Sequence, residues 1–356
     1  MALVLSHDAV EKLLTVEGCR ECTSRALESL SARSVVQPVR WGVVLPFSNT
    51  EEKEGVHVLG HMPSYLPAAI TGSPDAIEWY HPATAPEGKR GSGGYLATKV
   101  VSVYPSNTGS GFSSHQGVVL LFEAEHGSLQ CIADAHAVTA IRTAAASAIA
   151  TDLLARKDAT TLAIIGSGTQ ARKHLEAVSS VRSISAVRVW SRSAEHAAAF
   201  AAECSTDACP VSVAGSPTEA VADADIVCTV TASSEPLLRG ADLKPGAHIN
   251  AVGACFPTQR ELDTDAVLRA RLFVDTKEAC LAEPGDLVTP IKEGAMALEH
   301  IVGEIGEVIA GRLEGRQDEG QVTLFKSVGA AVEDLCAATA LFELAQAQPA
   351  DAFPSL

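Results

Sequence analysis

Thr161-Leu-Ala-Ile-Ile-Gly166-Ser-Gly168-Thr169-Gln170-Ala171, followed by Arg172 to Val178 and then by Val187-Arg-Val-Trp190-Ser191-Arg192-Ser193, is the stretch on which the fold turns. A short β-branched apolar run ends in Gly-x-Gly-x-x-Ala, and a segment rich in helix formers follows at once. That order predicts strand, tight turn and helix. Gly166 permits the turn and Gly168 lets backbone approach a pyrophosphate; Ala171 lets the helix pack close to the strand, with its amino-terminal amides, from Thr169 and Gln170 onward, facing the phosphates. The run Val187 to Trp190 closes a βαβ unit. Roughly 20 residues past the glycines, a NAD-selective protein places an Asp or Glu against the ribose hydroxyls. This chain has Ser191-Arg192-Ser193 there. No carboxylate stands to repel a 2′-phosphate, and a guanidinium with two hydroxyls would hold one through charge-assisted bonds. These residues predict NADP(H) as the cofactor in preference to NAD(H).

The 356 residues are enough for two domains. With 43 acidic against 27 basic side chains the formal charge is -16, which argues against nucleic acid or an anionic membrane as a partner. The start, Met-Ala-Leu-Val-Leu-Ser-His-Asp, lacks the basic opening and long apolar run of a signal peptide, and no stretch reads as long enough for a bilayer span. A soluble, cytoplasmic protein is expected. Nine scattered cysteines, an odd number, suit free thiols in a reducing compartment. Cys19-x-x-Cys22 has no second pair to complete a zinc site, and His57 with His61 has no accompanying carboxylates, so no metal is expected.

Outward from the glycine turn, residues 6 to 33 have helical spacing, with Ser6 or Asp8 as cap. Four strands are then expected, over Gln37 to Pro46, His57 to Pro63, Leu96 to Pro105 and Gln116 to Glu123, with a fifth over Leu129 to Ala133 after a turn at Glu125 to Ser128. The proline- and glycine-rich segment from Pro67 to Gly94 reads as a long surface loop. Thr139 to Leu154 is an alanine-rich helix leading into the nucleotide fold. Beyond Trp190, helices and strands alternate, with strands at Val211 to Val213, Ile226 to Thr231, Ala247 to Gly253 and Leu272 to Asp275. Such alternation implies a doubly wound parallel sheet with ligand at its carboxyl edge. Glu283-Pro-Gly-Asp286 reads as a loop capping the next helix, and Phe325 to Leu344 as a last helix returning to the first domain. The fold class is therefore α/β: a Rossmann-type doubly wound domain over 141–324, and a smaller α+β substrate and dimerisation domain from 1–140 and 325–356.

Several blocks in the same order resemble the ornithine cyclodeaminase/mu-crystallin family over nearly the whole chain. They are Gln-Pro-Val-Arg40, Thr-Lys99-Val-Val, Ser-His115-Gln with Leu-Leu-Phe-Glu, Thr-Ala-Ile-Arg142-Thr-Ala-Ala, the Gly-Ser-Gly-Thr-Gln-Ala turn, and Gly-Ala-His-Ile-Asn-Ala-Val-Gly-Ala254. Arg260-Glu-Leu and Phe-Lys-Ser-Val-Gly329 with Val-Glu-Asp extend the likeness. The resemblance is nearest to the mu-crystallin branch and implies an NADPH-dependent ketimine reductase, a homodimer formed through the sheet domain, and a small imino-acid or amino-acid substrate. Cyclodeaminases carry an Asp where this chain has Cys255, in Gly-Ala-Cys-Phe-Pro. A thiol, with its reference pKa of about 8.5, does not replace a carboxylate that takes and returns protons. Conversion of ornithine to proline and ammonia with bound NAD, and carriage of a thyroid-hormone-like ligand with NADPH, are the competing readings.

Reduction of a cyclic ketimine carboxylate such as piperideine- or pyrroline-2-carboxylate needs a cation for the carboxylate, a hydride donor and a proton for nitrogen. Arg40 would supply the first as a bidentate fork. Lys99, in an otherwise apolar run, would be the proton donor or an electrostatic anchor. Arg142 would reach substrate carboxylate or cofactor phosphate, and Met62, His115 and Cys255 complete the substrate-side candidates. Thr231, Val252 and Gly253, with Ser327 and Gly329, are the candidates for placing the nicotinamide.

Overall fold

The computed structural model describes residues 2–47, 55–67, 94–104, 107, 111–349 and 351–356. The expected loop between Pro67 and Gly94 lies outside the described residues. The chain forms two compact units, Met1–Arg142 with Ala330–Leu356, and Thr143–Gly329.

The first unit opens with β1 (Leu3–Leu5), α1 (His7–Leu13) and α2 (Val16–Ser31). The helical spacing of residues 6 to 33 thus resolves into two helices. Ser6 Oγ accepts from Ala9 N to cap the first, and Thr15 Oγ1 accepts from Gly18 N at 3.0 Å to start the second. Five further strands follow: β2 (Trp41–Phe47), β3 (Gly55–Pro67), β4 (Gly94–Val103), β5 (His115–Glu123) and β6 (Leu129–Asp134). They form a six-stranded sheet in the order β1-β6-β5-β4-β3-β2, antiparallel except where β1 joins β6. Register decides which side chains go inward. Met62 lies opposite Lys99 and Ser64 opposite Ala97; all four are buried, and Ser64 Oγ donates to Ala331 O of the helix α11 (Ala331–Gln346), which packs on this face. Positions one residue away point outward. There Trp41, 60% exposed, pairs with His61, and Val43, 51% exposed, pairs with Leu59, 46% exposed.

The helix α3 (Ala135–Leu154) begins earlier than its alanine-rich core and leads into the second unit. By length and composition it could cross a membrane, contrary to the expectation that no stretch could, but 83% of its most apolar 18-residue window is buried inside the protein. The second unit continues with β7 (Thr161–Ile165), α4 (Thr169–Ser179), β8 (Ala186–Trp190), α5 (Ala194–Cys204), β9 (Val211–Val213), α6 (Pro217–Val221), β10 (Ile226–Thr229), β11 (His248–Ala251), α7 (Thr264–Arg269) and β12 (Arg271–Val274). After these come α8 (Lys277–Cys280), α9 (Gly285–Lys292), β13 (Ile301–Glu304), α10 (Ile305–Ile309) and β14 (Thr323–Lys326). The eight-stranded parallel sheet runs β13-β12-β14-β11-β10-β7-β8-β9. The order in which successive strands are added switches sides between β7 and β10, where open α/β sheets take ligands. Alternate residues feed opposite layers: Leu162 and Ile164 pack with Val187, Val189 and Phe200, whereas Ala163 and Ile165 pack with Val227, Ile249 and Leu272. Burial on both faces explains strands that read as unbroken apolar runs.

Three expectations are corrected. Phe325 to Leu344 is not one helix. Leu324 and Phe325 are fully buried in β14, and Gly329, at φ 81, separates that strand from α11. Four residues buried throughout, Thr323 to Lys326, carry no periodicity by which to tell strand from helix. Arg40 precedes β2 rather than lying within it. Asp286 is inside α9, fully buried, and caps nothing.

Candidate active site

In the first unit, three of the sequence candidates meet on one carboxylate or beside it. Lys99, on the inward face of β4, places Nζ 2.8 Å from Asp334 Oδ2 and donates to Thr139 Oγ1 at 3.3 Å. Arg142, near the middle of α3, donates from Nε to Asp334 Oδ1 at 3.0 Å and from a terminal nitrogen to Glu333 Oε2 at 3.2 Å. Lys99, Arg142, Glu333 and Asp334 are all buried, and half-buried Arg40 is close enough to repel Lys99. Burial pulls the Lys99 ammonium down to about 8, Arg142 and Arg40 push the same way, and Asp334 opposes them. Asp334 is itself held below the ordinary carboxylate range by Lys99 and Arg142, against the penalty of burial. Met62 is buried directly across from Lys99. His115 stands exposed at the start of β5, its Nδ1 3.0 Å from Ser114 Oγ.

In the second unit, Gly166 adopts φ 125, and a Cβ there would come within 2.9 Å of the Val230 carbonyl. A side chain is thus excluded by conformation and by Val230, just past β10. Gly168 is the amino-cap of α4 and offers no side-chain acceptor, so the first amides of that helix, at Thr169, Gln170 and Ala171, have no side-chain cap. A Cβ on Gly168 would meet nothing within 4 Å, which leaves space over the turn. The buried Gln170 side-chain oxygen has no hydrogen-bond partner among the described residues. Open space, uncapped amides and a positive helix end fit a dinucleotide pyrophosphate. Ser167 Oγ donates to Ser191 Oγ at 3.0 Å, tying the turn to the end of β8, and Arg172 clamps it from the other side by donating to Ser167 O at 2.8 Å. Arg192 is exposed, and Ser193 Oγ accepts from His196 N as the cap of α5.

The nicotinamide candidates are held by buried carboxylates. Glu261, fully buried, accepts from Thr229 Oγ1 at 2.9 Å, Thr231 N at 2.6 Å, Thr231 Oγ1 at 2.8 Å and Gly253 N at 2.8 Å. A Cβ on Gly253 would lie 2.0 Å from Thr231 O, so this junction requires glycine. Asp275 accepts from Ser327 Oγ at 3.2 Å, Val328 N at 2.7 Å and Gly329 N at 2.6 Å. Asp286 takes Glu261 N, Leu262 N and the buried ammonium of Lys326, the last at 3.0 Å. Val252 is buried next to Gly253, and half-buried Cys255 donates from Sγ to Val252 O at 3.3 Å.

Residues 86–348 match the ornithine cyclodeaminase/mu-crystallin family. The chain belongs to this family. Ketimine reductase mu-crystallin of Mus musculus is 44% identical over 248 residues, covering 70% of this chain and 75% of the relative. Among solved structures, Thermococcus litoralis Δ(1)-pyrroline-2-carboxylate reductase in complex with NADH and L-proline superposes with a TM-score of 0.84 at 35% identity, covering 97% of both chains. An archaeal alanine dehydrogenase dimer with bound NAD gives 0.82 at 28% identity, covering 97% of this chain and 96% of that one. The chain is accordingly an oxidoreductase that works with a nicotinamide dinucleotide.

Within this family member, sequence reasoning singled out the cations and missed their counter-ions. Asp334, Glu261, Asp275 and the Asp286–Lys326 pair emerge only from the structure, although Glu261, Lys326 and Asp334 lie in the blocks Arg260-Glu-Leu, Phe-Lys-Ser-Val-Gly and Val-Glu-Asp. The signal in the sequence is a charged residue directly after an apolar pair, as at Lys326 after Leu324 and Phe325.

Proposed function

We propose that this chain is an NADPH-dependent reductase of cyclic ketimine carboxylates of the piperideine- and pyrroline-2-carboxylate type. The observation that carries the reading is the buried cluster of the first unit, in which Lys99 and Arg142 share Asp334 while Arg40 lies within electrostatic range of Lys99. Such a gathering of cations suits a substrate carboxylate, for which Arg40 would be the fork. The reduced nicotinamide would supply a hydride to the imine carbon, and Lys99 a proton to the nitrogen. The names of the relatives support this substrate class. Cys255 in place of a carboxylate disfavours cyclodeamination, and so many buried charges suit an anionic substrate better than a hydrophobic hormone. Oxidation of NADPH by the two cyclic imino acids, followed at 340 nm, tests the reading; ammonia release from ornithine with no cofactor turnover would replace it by cyclodeamination.

The preference for the phosphorylated cofactor rests on exposed Arg192 and on the lack of a carboxylate after β8. Loss of a bond to a charged group costs about 1.5–3 kcal/mol. Arg192→Ala is therefore expected to raise KM for NADPH by roughly 10- to 100-fold and to leave KM for NADH unchanged. Equal effects on both cofactors would sink the assignment.

The outward face of the six-stranded sheet exposes Trp41 and Val43 of β2, at the sheet edge, and Leu59 of β3. We assign a second copy of this chain to it, in line with the dimeric relative. Light scattering is expected to give twice the chain mass, and Val43→Glu to give the monomer; a monomeric wild type overturns the assignment.

A further inference from the structure

Asp334 occupies the first turn of α11, is 1% exposed, and divides its two oxygens between Lys99 at 2.8 Å and Arg142 at 3.0 Å. Among the described residues, Asp334 is the anion in contact with the Lys99 ammonium. From β3 comes Met62 and from β5 Val119, both apolar; α3 brings the Thr139 hydroxyl and the Arg142 guanidinium. Arg40, ahead of β2, and His115, at the start of β5, lie within electrostatic range, with His136 of α3 beside His115. Glu333, the neighbouring carboxylate on α11, is taken up by Arg142 and by the Ala330 amide. Burial and two guanidinium groups therefore drive the ammonium toward the neutral amine, and one carboxylate holds it charged.

We propose that Asp334 is a positioning residue for imine reduction: it fixes the Lys99 ammonium against the Arg142 guanidinium and keeps Lys99 protonated, so that Nζ is the proton source for the substrate nitrogen. The proposal rests on the reductase reading above. In the step, the imine carbon gains a hydride from reduced nicotinamide, and the C=N π pair moves onto nitrogen. Nitrogen then takes a proton from Lys99 Nζ. A secondary amine, a neutral lysine and oxidised nicotinamide result, and the lysine recovers its proton from solvent. Thr139 and Arg142 give Lys99 no acceptor to match the carboxylate, so the ammonium depends on Asp334 for both place and charge.

The test is the pH dependence of kcat/KM for wild type, Asp334→Asn and Asp334→Glu. It is paired with a 13C titration of the lysine ε-carbons in the cofactor-free proteins, the Lys99 signal being assigned with Lys99→Arg. An opposing charge at this range shifts a pKa by roughly 1–3 units. Asp334→Asn should move both the alkaline limb of kcat/KM and the Lys99 titration to lower pH by at least about one unit; a one-unit shift gives a loss of about 5-fold at pH 8 with little change at pH 6. Asp334→Glu keeps the charge but displaces it, so the limb stays while kcat falls by roughly 10- to 100-fold, the expected cost of misplacement. That variant carries the test if the asparagine protein does not fold. A limb and a Lys99 titration unmoved in Asp334→Asn, or wild-type kcat in Asp334→Glu, overturn the proposal while the reductase reading stands. A wild type that reduces ketimines with no alkaline limb shows that Lys99 is not the donor, and a wild type with no ketimine turnover defeats the reductase reading itself.

Discussion

Lys99→Met is expected to lower kcat for cyclic ketimine reduction by roughly 10²–10⁴-fold, the range of a lost general acid, and to leave affinity for the dinucleotide unchanged. Methionine matches the lysine stem in length and apolar character but has no ammonium, so the inward face of β4 keeps its packing against α11. Asp334 loses one partner and retains Arg142 at 3.0 Å, which limits the structural penalty of the change. Single-turnover absorbance of NADPH with pyrroline-2-carboxylate measures the chemical step, and fluorescence titration of NADPH measures binding separately. Turnover within about ten-fold of wild type would remove Lys99 from the chemistry, because a missing proton donor costs more than that.

Lys326→Met should destabilise the protein by about 3–5 kcal/mol, the usual cost of breaking a buried ion pair from one side. Asp286 would be left fully buried without its counter-ion, and burial with a neighbouring carboxylate already raises Glu261. The damage should reach the cofactor end of the unit. Asp286 holds the Glu261 and Leu262 amides, and Glu261 in turn holds Thr231 and Gly253, which follow β10 and β11. Urea denaturation measures the loss. Pairing the change with Asp286→Leu should recover only part of it, because the amides of Glu261 and Leu262 then lack an acceptor. A single variant as stable as wild type would show that the pair contributes nothing to holding these loops.

The glycine turn was legible because its requirements are local. Gly166 needs a left-handed backbone and room for the Val230 carbonyl, and Gly168 needs space above it; no other residue type meets the first of these without strain. The parallel sheet was legible for a related reason, since strands buried on both faces must read as short apolar runs between helices. Lys99 was legible as a cation in an otherwise apolar run, whereas Arg40 and Arg142 took their weight from resemblance; the burial of Lys99 follows only from the register that places it opposite Met62.

The sequence by itself therefore determined the nucleotide turn, the doubly wound class of the second unit and the residue types from which an imine-reducing site would be drawn. The tertiary structure alone decided that Phe325 lies in a strand, that Asp286 is a buried ion-pair partner rather than a cap, and that one carboxylate, Asp334, serves both Lys99 and Arg142. The physical reason is separation along the chain. Backbone conformation and burial pattern are set by near neighbours, whereas the charge state of Lys99 is set by a carboxylate 235 positions away, brought to within 2.8 Å only by the packing of α11 on the sheet.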